Sequence, residues 1–144
     1  MSDPAFRFKQ RVSVRFRDLD PLGHAHHTLP IVYFEEARAE YWRRVAGRAT
    51  VADIDYVVAE VRVQFKQRVL YPAQLTVGAA VTHLGNASFV MRYELTDEEG
   101  AVLATGETVQ VMYDFRSSRS MPLPSDLRAR IMQFEGMTMA GKEA

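Results

Sequence analysis

The chain has 144 residues, 47% of them hydrophobic and 25% charged, with 18 basic residues against 18 acidic ones. This composition argues against disorder, no apolar run reaches membrane-span length, and the neutral balance leaves no general footprint for nucleic acid. There are no cysteines, which excludes disulfides, thiolate metal sites and a thiol nucleophile.

One domain over 1–144 is the expectation, with a core over about 6–116 and a C-terminal helix over about 125–135. The N-terminal Met-Ser-Asp-Pro-Ala-Phe-Arg has no apolar h-region, so no signal peptide is expected and the cytoplasm is the default. Phe6, Phe8, Val12, Val14 and Phe16 alternate with polar residues, which predicts a first strand. Asp18 to Gly23 carries the turn chemistry of Asp-Pro and Gly. A helix follows, its start marked by Thr28 and Pro30. Ile31, Phe34, Ala37, Tyr41 and Val45 share one face, and Glu36, Glu40 and Arg44 run along another as i,i+4 neighbours. Gly47 is the expected stop.

The next alternation is Val57, Ala59, Val61, Val63 and Phe65, before Pro72. Leu75, Val77, Ala79 and Val81 form another strand, turning at Gly85-Asn86 into Phe89, Met91, Tyr93 and Leu95. Asp97 to Gly100 turns the chain again, and Val109, Val111, Tyr113 and Phe115 mark the last strand. Ser125 is read as the cap of a short helix with Leu127, Ile131 and Phe134 on one side, and the last eight or so residues read as frayed. The order β-α-β-β-β-β-α predicts an α+β fold, a five-stranded antiparallel sheet wrapped around the long helix.

The chemistry concentrates in Asp18-Leu-Asp-Pro-Leu-Gly-His-Ala-His-His27. It sets Asp20 and three histidines in a loop that runs into a helix N-terminus, where free N–H groups and a partial positive charge lie. Those are ingredients for attack on a polarised carbonyl. Asp18 competes with Asp20, and the bland reading of either is a turn carboxylate. His24 and His26 could form a metal pair with Asp20 as third ligand, but no distant His or Glu partner braces them, so metal is expected to be dispensable. His27, nearest the helix, could polarise a substrate carbonyl. No Gly-x-Ser-x-Gly elbow and no Gly-rich phosphate loop is present. Tyr33, Phe34, Tyr41 and Trp42 read as core. Arg62, Lys66 and Arg68 read as a solvated face or a phosphate contact.

Asp-x-Asp-x-x-Gly, a histidine seven residues after the second Asp, and then Tyr-Phe-Glu-Glu-Ala-Arg38 resemble the 4-hydroxybenzoyl-CoA thioesterase family of the hotdog fold. In pattern the chain is similar to the small acyl-CoA thioesterases linked to the Tol-Pal system. The resemblance extends to Tyr56-Val-Val58, Tyr71-Pro-Ala73 and Leu84-Gly-Asn-Ala-Ser-Phe89. It implies an acyl-CoA or aroyl-CoA thioesterase, needing no cofactor, that forms a homodimer or homotetramer with sites at the subunit interface. It assigns the catalytic carboxylate to Asp20 and the branch histidine to His27, with a polarising backbone N–H near His27 and Thr28. Gly23, His24, His26, Pro30 and Ser88 become candidate substrate contacts, and Lys66 and Arg68 candidates for the phosphates of coenzyme A. Two departures stand out. Members with Gly-His-Val-Asn-Asn carry asparagines at the positions of His26 and His27, and a tyrosine is usual at that of Pro30. Whether Asp20 attacks the thioester or activates water stays open, as do an enoyl-thioester hydratase and a non-catalytic acyl-binding module.

Overall fold

The computed structural model describes residues 6–48, 50 and 53–137. Its elements are β1 (Phe8–Ser13), α1 (Leu29–Arg44), β2 (Tyr56–Phe65), β3 (Gln74–Leu84), β4 (Ser88–Thr96), β5 (Val102–Asp114), β6 (Arg119–Ser120) and α2 (Ser125–Glu135). Five long strands form one antiparallel sheet in the order β1-β3-β4-β5-β2, and the two-residue β6 pairs with β5. The helix α1 packs against β1, β3, β4 and β5. This is the α+β arrangement expected from the sequence.

Helix α1 forms because its apolar residues recur at helical spacing and Pro30 lies in its first turn, where a missing N–H costs nothing. Its buried stripe is Pro30, Tyr33, Phe34, Ala37, Arg38, Tyr41 and Trp42. Ile31 is only half-buried. Trp42 stacks on Phe89 of β4, with ring centroids 5.0 Å apart, and Phe34 stacks on Tyr93 at 4.9 Å. Burying each such ring contributes roughly 1.5–3 kcal/mol. The aromatic residues of the helix are therefore core, as expected. Its polar face differs in detail: Glu40 pairs with Arg43, and Arg44 lies over the Phe8 ring. The helix ends at Arg44, three residues before Gly47, which adopts φ +77°.

The sheet matches the sequence pattern in β3 and β4. Leu75, Val77, Ala79, Val81, Phe89, Met91, Tyr93 and Leu95 are all buried. Elsewhere four expectations are corrected. Phe16 is not a strand residue but opens a 3₁₀ turn, Phe16–Asp18, and is 73% exposed. A bulge between Val58 and Glu60 breaks the β2 alternation. Val58 and Val61 therefore share a side, lining one groove with α1, and Ala59 drops out of the series. In β5 the buried positions are Leu103, Ala104, Thr108, Gln110 and Met112, whereas Val109, Val111 and Tyr113 are half-buried and Phe115 is exposed. Small and polar residues face α1 there because the helix comes close. A Cβ on Gly106 would lie 2.6 Å from the Phe34 ring. Finally, Ser125 is the first residue of α2 rather than its cap. Pro124 holds the N-cap position, without a side-chain cap bond. The tail read as frayed lies outside the described residues beyond Met137.

Strand β2 ends the sheet. It pairs with β5 on one side and has no partner on the other among the described residues. Its side chains Val58, Val61 and Phe65 are exposed.

Candidate active site

The chain leaves β1 through the 3₁₀ turn and forms a small closed loop. Leu19 bridges to Ala25, the Asp20 N–H donates to the His24 carbonyl (3.0 Å), and the Gly23 N–H donates to the Asp20 carbonyl (3.0 Å). Gly23 turns the corner at φ +86°, a backbone region that favours glycine. The Ala25 N–H donates to the Val69 carbonyl at 2.8 Å, which ties this loop to the β2–β3 connection. That connection is itself anchored where the Lys66 and Gln67 amides both donate to the Leu103 carbonyl.

The two aspartates separate in this geometry. Asp18 is buried, and its Oδ2 accepts from the Arg15 N–H and the Tyr33 hydroxyl, both at 2.9 Å. Burial first, then the Asp18 hydrogen bond and charge, push the Tyr33 phenol well above its usual pKa. Asp18 thus pins the loop to α1. Asp20 is only half-buried, and its Oδ1 accepts from the Leu22 N–H at 2.9 Å as an Asx turn. Its other oxygen makes no hydrogen bond among the described residues.

Between the loop and the connection lies a cleft of about 680 Å³. Asp20, His24, His27, Pro30, Lys66 and Arg68 line it, with Leu22, Phe65, Val69 and Leu70 as apolar wall. Six of the sequence candidates therefore meet at one place. Four stand apart from the lining. Gly23 makes the turn. His26 and Thr28 bond each other at the helix start, the Thr28 N–H donating to His26 Nδ1 (3.2 Å) with Thr28 Oγ1 2.9 Å from the same nitrogen. That bond requires Nδ1 to be unprotonated, which puts the ring proton on Nε2. Ser88 opens β4 at the other end of β3, roughly 30 Å of strand from the loop.

Two details alter the expected oxyanion donors. The Thr28 amide is engaged by His26, and the Leu29 amide donates to the His26 carbonyl (2.9 Å). The His27 amide has no hydrogen-bond partner among the described residues. The His27 ring stands 4.1 Å from that of His26 and edge-on to Phe65 at 6.4 Å. Among the described residues no three His, Asp or Glu side chains converge as a metal site would need, so His24, His26 and Asp20 do not form a ligand set. The basic set splits as well. Arg62 opposes Glu107, which also opposes Arg92, on the sheet face turned away from α1, so only Lys66 and Arg68 reach the cleft.

Sequence alone gave no role to Arg38. This side chain is 6% exposed inside the core. Its Nε donates to the Tyr56 hydroxyl (3.3 Å) and Nη1 to the Tyr93 hydroxyl (3.1 Å). Burial opposes its charge, but the two phenols outweigh that, and its pKa sits above the ordinary value. The available signal was its position on the stripe, one turn after Phe34.

The family model described as thioesterase superfamily matches residues 22–104. The chain belongs to the thioesterase superfamily. A thioesterase from Thermus thermophilus, solved in complex with coenzyme A and Zn, is 33% identical, with a TM-score of 0.83 over 95% of this chain and all of that one. A protein from Bacillus stearothermophilus, solved as a predicted thioesterase, is 25% identical with a TM-score of 0.81, covering 88% of this chain and 95% of that one. The uncharacterized protein YsmA of Bacillus subtilis (strain 168) is 27% identical over 117 residues, 81% of this chain and 80% of its own length. With these neighbours the antiparallel sheet around one long helix is a hotdog fold. Asp20 stands two residues before the matched segment, so the family match carries no residue role. Among the described residues no helix is long and apolar enough to cross a membrane.

Proposed function

We propose that the protein hydrolyses an acyl- or aroyl-coenzyme A thioester in the cleft beside Asp20. One observation carries this reading. A half-exposed carboxylate with a free oxygen and His27, whose backbone amide has no partner among the described residues, line the same cleft just before α1. A thioester carbonyl there would receive its hydrogen bond from the His27 N–H, backed by the helix dipole. Asp20 then attacks the carbonyl carbon or removes a proton from an attacking water. In both routes water is consumed, the C–S bond breaks, and the products are a carboxylic acid and the free thiol.

The His27 ring and Phe65 form one wall, and Lys66 and Arg68 supply the positive charge that coenzyme A phosphates need. The coenzyme A bound to the Thermus relative supports the same carrier. Within the superfamily, the loop and the Tyr-Phe-Glu-Glu-Ala-Arg helix favour the 4-hydroxybenzoyl-CoA and Tol-Pal-linked pattern. Pro30, where the resemblance expects a tyrosine, takes a phenol and an N–H away from the cleft wall. A homodimer, or a tetramer built from it, completes the site. Its support is the open edge of β2 with exposed Val58, Val61 and Phe65.

The test is thiol release from a panel of acyl-CoAs. Asp20→Asn should lower kcat by about a hundredfold or more while the protein stays folded. Full activity in the folded variant would remove this mechanism.

A further inference from the structure

His26 stands outside the cleft lining, yet it holds the peptide that carries the candidate oxyanion donor. The His26 carbonyl and the His27 N–H belong to one planar trans peptide, so the two point in opposite directions. That carbonyl accepts from the Leu29 amide at 2.9 Å. The His26 ring grips the same turn a second time, because its Nδ1 accepts from the Thr28 N–H at 3.2 Å. His27 and Thr28 are thus clamped between two acceptors of one residue, and the direction of the His27 N–H follows from that clamp.

Only the ring acceptor can titrate, and histidine is the side chain that ordinarily changes charge between about pH 5 and 8. Its Nδ1 has one lone pair, and a proton there removes the acceptor that the Thr28 amide uses. Thr28 Oγ1 lies 2.9 Å from the same nitrogen and can accept from the new N–H. Protonation therefore exchanges a bond to the backbone for a bond to a side chain. The His27 ring is 4.1 Å away. Asp18, Asp20 and His24 share the loop, Lys66 and Arg68 stand on the connection across the cleft, and Glu35 and Glu36 follow in α1, whose first turn carries no acid. None of these groups hydrogen-bonds the His26 ring. We propose that neutral His26 is a positioning residue for the hydrolysis, and that its protonation loosens the turn that aims the His27 amide and so lowers turnover in acid. This inference rests on the thioesterase reading and adds a pH gate to its site.

The experiment follows kcat and KM for one acyl-CoA from about pH 5 to 8, by loss of thioester absorbance, in wild type, His26→Asn, His26→Ala and His27→Ala. Asparagine keeps an acceptor for the amide two residues on and does not titrate. Wild-type kcat should fall by about tenfold on the acid side with KM little changed, the scale of one lost hydrogen bond. His26→Asn should hold its rate across the range, and His26→Ala should run at the acid-side rate throughout. His27→Ala should be slower but keep the acid limb, since the titrating ring remains. The Thr28 amide resonance should move through the same limb in wild type and stay still in His26→Asn. An acid limb kept in His26→Asn, a flat wild-type profile, or a folded His26→Ala as fast as wild type overturns the inference and leaves the thioesterase reading standing. No turnover of any acyl-CoA by wild type overturns both. If His26→Ala does not fold, the His26→Asn profile and the Thr28 resonance decide.

Discussion

Asp18 and Asp20 are two residues apart, and their environments assign them different work. Asp18→Ala removes the acceptor of two N–H or O–H donors, the Arg15 amide and the Tyr33 hydroxyl. Tyr33 is 1% exposed, so its hydroxyl cannot turn to water. One orphaned buried donor costs about 1–3 kcal/mol. The half-buried Arg15 amide adds less, because water can reach it. The Arg15 side chain adds next to nothing, since it is 61% exposed and 3.7 Å away. The sum is about 2–4 kcal/mol, or roughly 5–15 °C in Tm for a chain of this size. Asp18→Asn keeps an acceptor oxygen for both donors and should cost only about 1 kcal/mol, the charge assistance. Thermal and urea unfolding measure these changes. Tyr33→Phe closes a double-mutant cycle whose coupling should reach about 1–2 kcal/mol. Activity should move the opposite way, with kcat of Asp18→Asn within a few-fold of wild type and Asp20→Asn down about a hundredfold. An Asp18→Ala protein as stable as wild type, or an Asp18→Asn protein as inactive as Asp20→Asn, would refute this division.

Other consequences follow from the same geometry. Gly106→Ala drives a Cβ to 2.6 Å from a Phe34 ring already stacked on Tyr93, so it should cost about 1–3 kcal/mol in urea unfolding, and Phe34→Leu should recover part of it. Tyr33, Tyr41, Tyr56 and Tyr93 are all held above the ordinary phenol pKa, chiefly by burial. Above about pH 10 the unfolded chain sheds phenol protons that the native state keeps, so their contribution is intact below pH 10 and falls as pH rises. Tyrosinate absorbance and circular dichroism should therefore change together in an alkaline titration, and ionisation of all four within a native spectrum would contradict it. Val58→Asp with Val61→Asp puts charge on the exposed β2 edge and should shift the assembly toward monomer by light scattering. An unchanged mass would move the interface elsewhere.

Much of the fold could be read from local periodicity, and the failures have local causes. The stripe of α1 and the alternations of β3 and β4 were legible because large apolar side chains recur at the right period and meet one continuous core. Strand β5 misled because its helix-facing positions are Ala104, Gly106, Thr108 and Gln110, small or polar residues set by the close approach of Phe34 and by the Tyr93–Thr108 bond. Strand β2 misled because one bulged residue reverses every side chain beyond it. In the site, Asp20, His24, His27 and Pro30 were legible as a group because they are neighbours in sequence. Val69 and Leu70 were not, since only the Ala25–Val69 backbone bond brings them to the cleft. Arg38 was hidden for a different reason. A charged residue on an apolar stripe signals nothing until the phenols that receive it, Tyr56 and Tyr93 from two separate strands, are known to converge there.

The start of α1 shows how sequence departures reshape a site without moving it. An α-helix opens with four amides that lack intrahelical partners. Here Pro30 has no N–H to offer, the Leu29 amide is taken by the His26 carbonyl, the Thr28 amide is taken by the His26 ring, and the Ile31 amide has no partner among the described residues. His26 thus acts from outside the helix as a side-chain cap would. It withdraws Thr28, while the His27 amide, one residue before the cap, has no partner among the described residues. His27 then has two separable parts. Its amide is the candidate oxyanion donor, and its ring, packed between His26 and Phe65, shapes the wall. Removing the ring leaves the amide in place, so on the proposed mechanism His27→Ala loses side-chain positioning and keeps the candidate oxyanion donor.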